Sequence, residues 1–355
     1  MDARRRGVII GESLALSRLG ASPDDIAGVC RLFQDVFGQP ITESTWRWKY
    51  LSAPGGVAYN WVAHEAERNT HPLGHVGCLV LPGWWQGQPA LMAHLTDVMV
   101  HSSVRAGLSR GSVYGRLMVT MAKELRALED SRQTPVFAYG FPGRRPSRLG
   151  QRMGLYRPLL PNLQQPVWTH HVPVAAPVAL SAPVLQARNL RLSQFIAPAP
   201  APIPAVLPSL HKNATYLQWR YAAHPGRSYR LWTMAEHWGR PTGWAVTSTG
   251  TESWVVDANL PAFPDTPDTW SAVLCALAAA TGCHTWRSWR PAGQAGIIDL
   301  ADASLIVPGQ FRVENILESD RRLMSEMSPK HGSRLQQSQR ETDQPRFHPG
   351  DTDVF

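Results

Sequence analysis

The tripeptide Trp48-Lys49-Tyr50, followed after three residues by Pro54, recurs as Trp219-Arg220-Tyr221 with Pro225 at the same spacing. Each copy leads into a run of aromatic and apolar residues, Trp61 onward in the first and Tyr229 to Ala235 in the second, and then through a turn into another strand pattern. A strand-terminal acid returns as well, Thr96-Asp97-Val98 in the first copy and Val255-Val256-Asp257 in the second. Chance can produce one matching quartet, but agreement of the context points to duplication. The chain therefore reads as two copies of one α+β unit, the second shortened. Residues 173–208 between them are loaded with Ala and Pro, which cannot sustain a helix and favour an extended connection; Asn189 to Leu192 reads as an added edge strand. The expected organisation is a first domain at 1–170, a Pro/Ala-rich linker at 171–208, a degenerate second domain at 209–317 and a polar tail at 318–355 that stays solvated or disordered.

Within the first copy, Ser22-Pro23-Asp24-Asp25 combines a capping hydroxyl, a first-turn proline and acids at the positive helix end. Ile26, Val29, Cys30, Phe33, Val36 and Phe37 then keep the spacing of one helical face until Gly38-Gln39-Pro40 ends it. Asn60 to Ala66, His75 to Leu81 and Ala90 to Val100 alternate as strands of an antiparallel meander. A Gly/Ser/Arg loop, a helix from about Ser112 to Glu129, a short strand at Pro135 to Gly140 and a basic helix complete the order helix, three strands, helix, strand, helix.

Residues 101–160 carry eleven Lys/Arg against Glu124, Glu129 and Asp130, so the net charge of +8 resides in this one block. Such a block calls for an anionic partner or a solvated face. Cys30, Cys78, Cys275 and Cys283 are far apart with no CxxC or Cys/His grouping, which predicts reduced thiols and no metal. No apolar run reaches the roughly 18–20 residues that cross a bilayer, and the basic N-terminus lacks the unbroken apolar stretch of a signal peptide. A cytoplasmic protein without membrane attachment is the expectation.

The segment from Asp97 to Met118 carries the chemistry. A strand ends, a loop follows with Arg105, Gly107, Ser109, Arg110 and Gly111, and an amphipathic helix begins at Ser112. This order aims main-chain N–H groups and a positive helix end at one spot, with two guanidinium groups beside it. The glycines let a ligand approach the backbone. A diphosphate matches such a site. The ending Gly-Lys-Ser/Thr of a P-loop is absent, and so is a G-x-G-x-x-G opening a βαβ unit.

Thr96-Asp97-Val98-Met99-Val100-His101 followed by Arg105-Ala106-Gly107 and Arg110-Gly111 resembles the acetyl-CoA motif of the GNAT N-acetyltransferases, with a longer loop than the usual Arg/Gln-x-x-Gly-x-Gly/Ala. Downstream, Tyr139-Gly140-Phe141-Pro142 and Met153-Gly154-Leu155-Tyr156 resemble the strand-turn-helix ending of that family. The resemblance spans about residues 22 to 160 and extends, in degenerate form, to the second copy. It implies two GNAT-like domains, each a mixed and mostly antiparallel sheet flanked by helices. It also implies acetyl-CoA or another acyl-CoA as cosubstrate, paired by the main chain of Val98, Met99 and Val100 and by the Arg105 to Ser112 loop. The acceptor would be a primary amine on a small molecule, sugar or peptide. His94 or Asp97 would take the ammonium proton; the family's tyrosine acid falls at Gly150 here, leaving Tyr139 or Tyr156 as substitutes.

After Asp257 the second copy reads Ala258-Asn259-Leu260-Pro261, with no Arg/Gly loop, so one cofactor site is expected, in the first half. A helix at Trp270 to Cys283 and a strand at Trp286 to Arg290 would shape the acceptor cleft. Two other readings remain open: a catalytically silent acyl-CoA-binding module, and a transferase that takes its acyl group from charged tRNA. Nucleic-acid binding is disfavoured because aromatics do not interleave with the basic block.

Overall fold

The computed structural model describes residues 14–55, 57–65, 71–85, 87–105, 111–140, 142, 144–155, 167–172, 185–189, 209–236, 241–249, 253–259 and 267–289. The polar tail and most of the Pro/Ala-rich connection lie outside them. The first sheet is built from β1 (Leu14–Arg18), β2 (Val57–Glu65), β3 (Gly74–Trp85), β4 (Gln88–Val100) and β5 (Val136–Gly140), in that spatial order, with the short β8 (Ser209–Leu210) beside β3. Only β4 and β5 run parallel, joined by the crossover helix α3 (Val113–Arg132). Helices α1 (Pro23–Phe37), α2 (Glu43–Leu51) and α4 (Arg144–Arg152) complete this half.

Local chemistry sets the element ends. The Ser22 hydroxyl accepts from the Asp25 N–H at 3.2 Å and Pro23 occupies the first turn. Gly38, at φ 74°, closes α1 in the left-handed conformation. Helix α1 buries Ile26, Val29 and Leu32 and leaves Phe37 46% exposed, so the buried face is turned slightly from the expected one.

The second sheet repeats the path. Its order is β6 (Val167–His171), β12 (Thr285–Trp289), β11 (Ser253–Asn259), β10 (Pro241–Thr249), β9 (Tyr229–Glu236) and β7 (Leu185–Asn189). Again one pair, β11 and β12, is parallel and is bridged by a helix, α6 (Pro267–Thr281). The short helix α5 (Ala214–Leu217) and a π-helical turn at Gln218–Ala222 stand where α2 stands in the first half. Strand β6, which follows α4 in sequence, pairs with β12 of the second sheet.

The halves meet at the repeated tryptophans. Trp48 Nε1 donates to the Trp219 carbonyl at 2.7 Å, and Trp219 Nε1 returns the bond to the Trp48 carbonyl at 2.9 Å, across a separation of 171 residues. Their rings stack 5.2 Å apart at 18°. One buried core runs through the contact, from Ile26, Leu79 and Phe137 to Leu217, Trp244 and Val256. The opposite face of the first sheet packs Val76, Cys78 and Val80 against Leu117, Met121 and Leu125 of α3, as alternation along a strand requires. Among the described residues no helix is long and apolar enough to cross a membrane.

Two outcomes follow. Trp219→Ala should cost about 3–5 kcal/mol in urea unfolding, because it opens a cavity and leaves the Trp48 carbonyl buried without its donor. His224 lies 4.3 Å from the Trp48 ring, and burial, with Arg220 and Arg227 nearby, pushes its pKa down to about 4. Above pH 6.5 both folded and unfolded chains hold this ring neutral. As pH falls from 6.5 toward 4 the unfolded chain gains the proton first and stability declines. Thermal melts of His224→Gln over that window should fall less steeply than those of the parent.

Candidate functional site

Strand β4 holds one residue more than its partner. His75 faces Met99 and Gly77 faces Thr96, so two steps on β3 span three on β4. The extra residue lies at Asp97–Val98, and Asp97 takes φ 50°. A β-bulge of this kind inverts which face each following side chain occupies. Met92 faces the α1/α2 core and Leu95 the α3 core; beyond the bulge the odd-numbered Met99 joins the α1/α2 side and Val100 the α3 side.

A positive φ on a residue other than glycine costs on the order of 1–3 kcal/mol, least for Asp and Asn. The side chain at that position explains why the bulge persists. Lys49 Nζ lies 3.0 and 2.9 Å from the two Asp97 carboxylate oxygens and donates to the Thr96 hydroxyl at 2.8 Å. Tyr50 Oη donates to Asp97 Oδ2 at 2.6 Å. The Lys49 and Asp97 side chains are only 6% and 9% exposed. Charge-assisted bonds of this kind contribute roughly 1.5–3 kcal/mol each, enough to offset the backbone strain. His75 closes the arrangement from β3: its Nδ1 is 2.7 Å from the Asp97 carbonyl and its Nε2 3.1 Å from the Asn60 amide. Burial holds the His75 pKa below its ordinary value, so the ring is neutral. A carbonyl only accepts; Nδ1 therefore carries a proton toward the Asp97 carbonyl, and Nε2 faces Asn60 Oδ1.

The bulge begins where β5 leaves. Parallel pairing of β4 with β5 runs from Leu91↔Val136 to Leu95↔Gly140 and ends there, while pairing with β3 continues to Val100. Among the described residues, Thr96 to Val100 thus have a strand on one side only. At the mouth of this fork His94 and Tyr139 are cross-strand neighbours, with rings 4.9 Å apart and 5° from parallel, both buried.

The start of α3 lies beside the same strand end. A Cβ on Gly74, which pairs with Val100, would come 2.8 Å from Val113 and 2.9 Å from Leu117, so the glycine admits α3 against the sheet. Ser112 caps α3 by accepting from the Gly115 N–H at 3.2 Å, and the first turn holds no acid. Arg105, exposed, donates from Nε to the Val100 carbonyl at 3.0 Å. Gly111 is exposed, and Gly107, Ser109 and Arg110 lie outside the described residues. Elsewhere the basic block serves the fold: Arg116 donates to the Leu14 carbonyl at 3.0 Å, and Arg126 pairs with Asp130 at 2.8 Å. Arg18 of β1 pairs with Glu124.

The sequence places His94 and Asp97 on the strand that leads into the loop and Tyr139 on the next short strand, but gives no role to Lys49, Tyr50 or His75. The usable signal was the repeat. Tyr221 Oη donates to Asp257 Oδ2 at 2.6 Å, and Lys212 Nζ lies 2.9 Å from both Asp257 oxygens, so tyrosine and strand acid recur as a bonded pair. Strand β11 also carries an extra residue there, since Val246 faces Asp257 and Thr247 faces Val255. The lysine is not the repeated one: Arg220 lies over the Trp48 ring at 5.7 Å, and Lys212 reaches the acid from the segment before α5.

No family model and no curated protein matches the sequence. Solved structures do match. A conserved protein of unknown function from Enterococcus faecalis, described as a probable N-acyltransferase, aligns over 86% of this chain and 74% of its own, with TM-score 0.61 and 10% identity. A GCN5-related N-acetyltransferase from Anabaena variabilis aligns over 84% and 72%, with TM-score 0.56 and 15% identity. The fold is that of the GCN5-related N-acetyltransferases. Saccharomyces cerevisiae N-myristoyltransferase with bound myristoyl-CoA also aligns, over 86% and 80%, with TM-score 0.52 and 10% identity.

In this GCN5-related fold the bulge is packed against Gly77, where an added Cβ would meet Tyr50 Oη at 2.2 Å and Cζ at 2.7 Å. Gly77→Ala should therefore lower stability by about 1–3 kcal/mol through overpacking. In a double-mutant cycle read by urea unfolding, Tyr50→Phe should relieve part of that cost; strictly additive losses would show that the clash is taken up elsewhere.

Proposed function

We propose that the chain is an acyl-CoA-dependent N-acyltransferase whose cosubstrate lies in the fork between β4 and β5. The observation that carries this reading is the end of β4–β5 pairing at Leu95, with five further residues of β4 that pair with no strand on that side among the described residues, and an acid-free helix N-terminus beside them. A free strand edge fits the amide groups of a pantetheine arm, as it would fit another strand. The capped start of α3, with Arg105 and the loop residues Gly107, Ser109, Arg110, Gly111 and Ser112, fits a diphosphate. When bound, the acyl-CoA supplies an activated thioester. The main chain of Val98, Met99 and Val100 orients it, and an N–H of this stretch stabilises charge developing on the acyl oxygen.

Both Asp97 oxygens are engaged by Lys49 and one also by Tyr50, which leaves the proton of the incoming ammonium to His94. Tyr139, stacked on that ring, would protonate the departing thiolate. His94 and Tyr139 sit on the α1/α2 side of the sheet, where the second half joins the core, so the amine acceptor would enter between the two halves. The acceptor is a primary amine on a small molecule, sugar or peptide.

Titration calorimetry with acetyl-CoA and other acyl-CoAs tests the site. Arg105→Ala/Arg110→Ala should weaken binding by about 10-fold or more, from the loss of charge-assisted hydrogen bonds. Equal binding by parent and variant would remove the site from this loop. A panel of amines assayed for thiol release should then give turnover; tight binding with no turnover on any amine would favour the silent module that Gly150, in place of a tyrosine, suggests.

A further inference from the structure

The bulge on β4 is held by Lys49 and Tyr50 through the carboxylate of Asp97. Lys49 comes from α2, Tyr50 from the next position on the same helix, and both reach the carboxylate of Asp97, the residue of β4 at positive φ. Strand β3 contributes the absence of a side chain: Gly77, opposite Thr96, leaves the space the Tyr50 ring fills. In the second half Tyr221 and Lys212 bond Asp257 in the same way, next to the extra residue of β11, although Asp257 pairs with Val246 and does not take a positive φ. That strand leads into a segment without the Arg/Gly loop. The tyrosine–lysine–acid contact is therefore present twice, and only one copy adjoins the proposed cosubstrate site.

Resting on the function proposed above, we infer that Lys49, Tyr50 and Asp97 are positioning residues for acyl transfer. Their hydrogen bonds fix the depth and angle of the bulge, and through it the Val98–Val100 main chain that meets the acyl carbonyl. Asp97 is not the proton acceptor. A carboxylate serving as base needs a lone pair facing the substrate and must accept a proton in the reaction; here protonation would break the contact with an ammonium that is itself buried. A rigid support has the opposite requirement and keeps its charge throughout. The energetic logic favours this role, since reacting atoms misplaced by about 1 Å lose on the order of 100-fold in rate.

The second copy supplies the control. Tyr50→Phe and Tyr221→Phe remove the same hydroxyl from equivalent acids and keep both ion pairs, so both variants should fold with comparable losses in urea midpoint. Tyr50→Phe is expected to lower kcat by on the order of 10- to 100-fold, with little change in KM for acyl-CoA and an unchanged shape of the pH–rate profile. Tyr221→Phe should stay within about two-fold of the parent. The infrared carbonyl band of bound acetyl-CoA labelled with carbon-13 at the thioester gives a readout independent of turnover. It should lie below its solution frequency in the parent and in Tyr221→Phe, and return toward that frequency in Tyr50→Phe.

Equal kcat losses in the two tyrosine variants would reduce the clamp to a structural element and overturn the inference. So would a parent-like rate and carbonyl band in Tyr50→Phe. Loss of the acid limb of the pH–rate profile in Asp97→Asn alone would restore Asp97 as the base. If the parent turns over no amine, the proposed function fails, and the carbonyl band still decides whether the clamp orients the thioester.

Discussion

A carboxylate seated where the fourth strand gains a residue governs this half of the molecule. Without Lys49 and Tyr50 the Asp97 charge would be buried alone, and the left-handed backbone beneath it would have nothing to offset its strain. With them, the bulge inverts the faces of Met99 and Val100 and coincides with the point at which β5 stops pairing. The packing of β4 on both faces follows from that one-residue insertion, and Gly74 admits α3 beside it. The site is thus a backbone shape maintained by side chains that do not themselves face it.

The contact between the two halves supports this shape. The two halves meet through Trp48 and Trp219, each donating to the other's main chain, a self-complementary contact of the kind that symmetric dimers use. Strand β6 leaves the first half and pairs at the far edge of the second sheet, and one core runs through both. The second half therefore works as a buttress for α2, the helix that delivers Lys49 and Tyr50. Its own acid bonds a tyrosine at the repeated position and a lysine from a different segment.

Much of this was legible in the sequence because it is written in local patterns. The cap at Ser22, the apolar strand at His75 to Leu81 and the Ser112 helix start each depend on neighbours in the chain. The recurrence of Trp, Tyr and strand acid pointed to two halves of similar build. What escaped depends on long-range geometry. Strand β1 is five residues of modest hydrophobicity beside a basic N-terminus, and its partner lies on β2 some fifty residues later. Lys49 looked like one charge in a Trp-rich run; that it is buried on Asp97 appears only when α2 is laid against β4. The parity shift between Leu95 and Met99 was visible in principle, since an apolar strand that changes face mid-way must bulge or break, but without the core on either side it had no meaning.

The central claim is that the fork between β4 and β5 takes an acyl-CoA, and amide hydrogen exchange in the presence and absence of acetyl-CoA tests it most directly. Protection is expected to rise at residues 96–105 and across the first turn of α3, with no change along β11 in the second half. Unchanged exchange at those positions, or protection confined to the second sheet, would contradict the account.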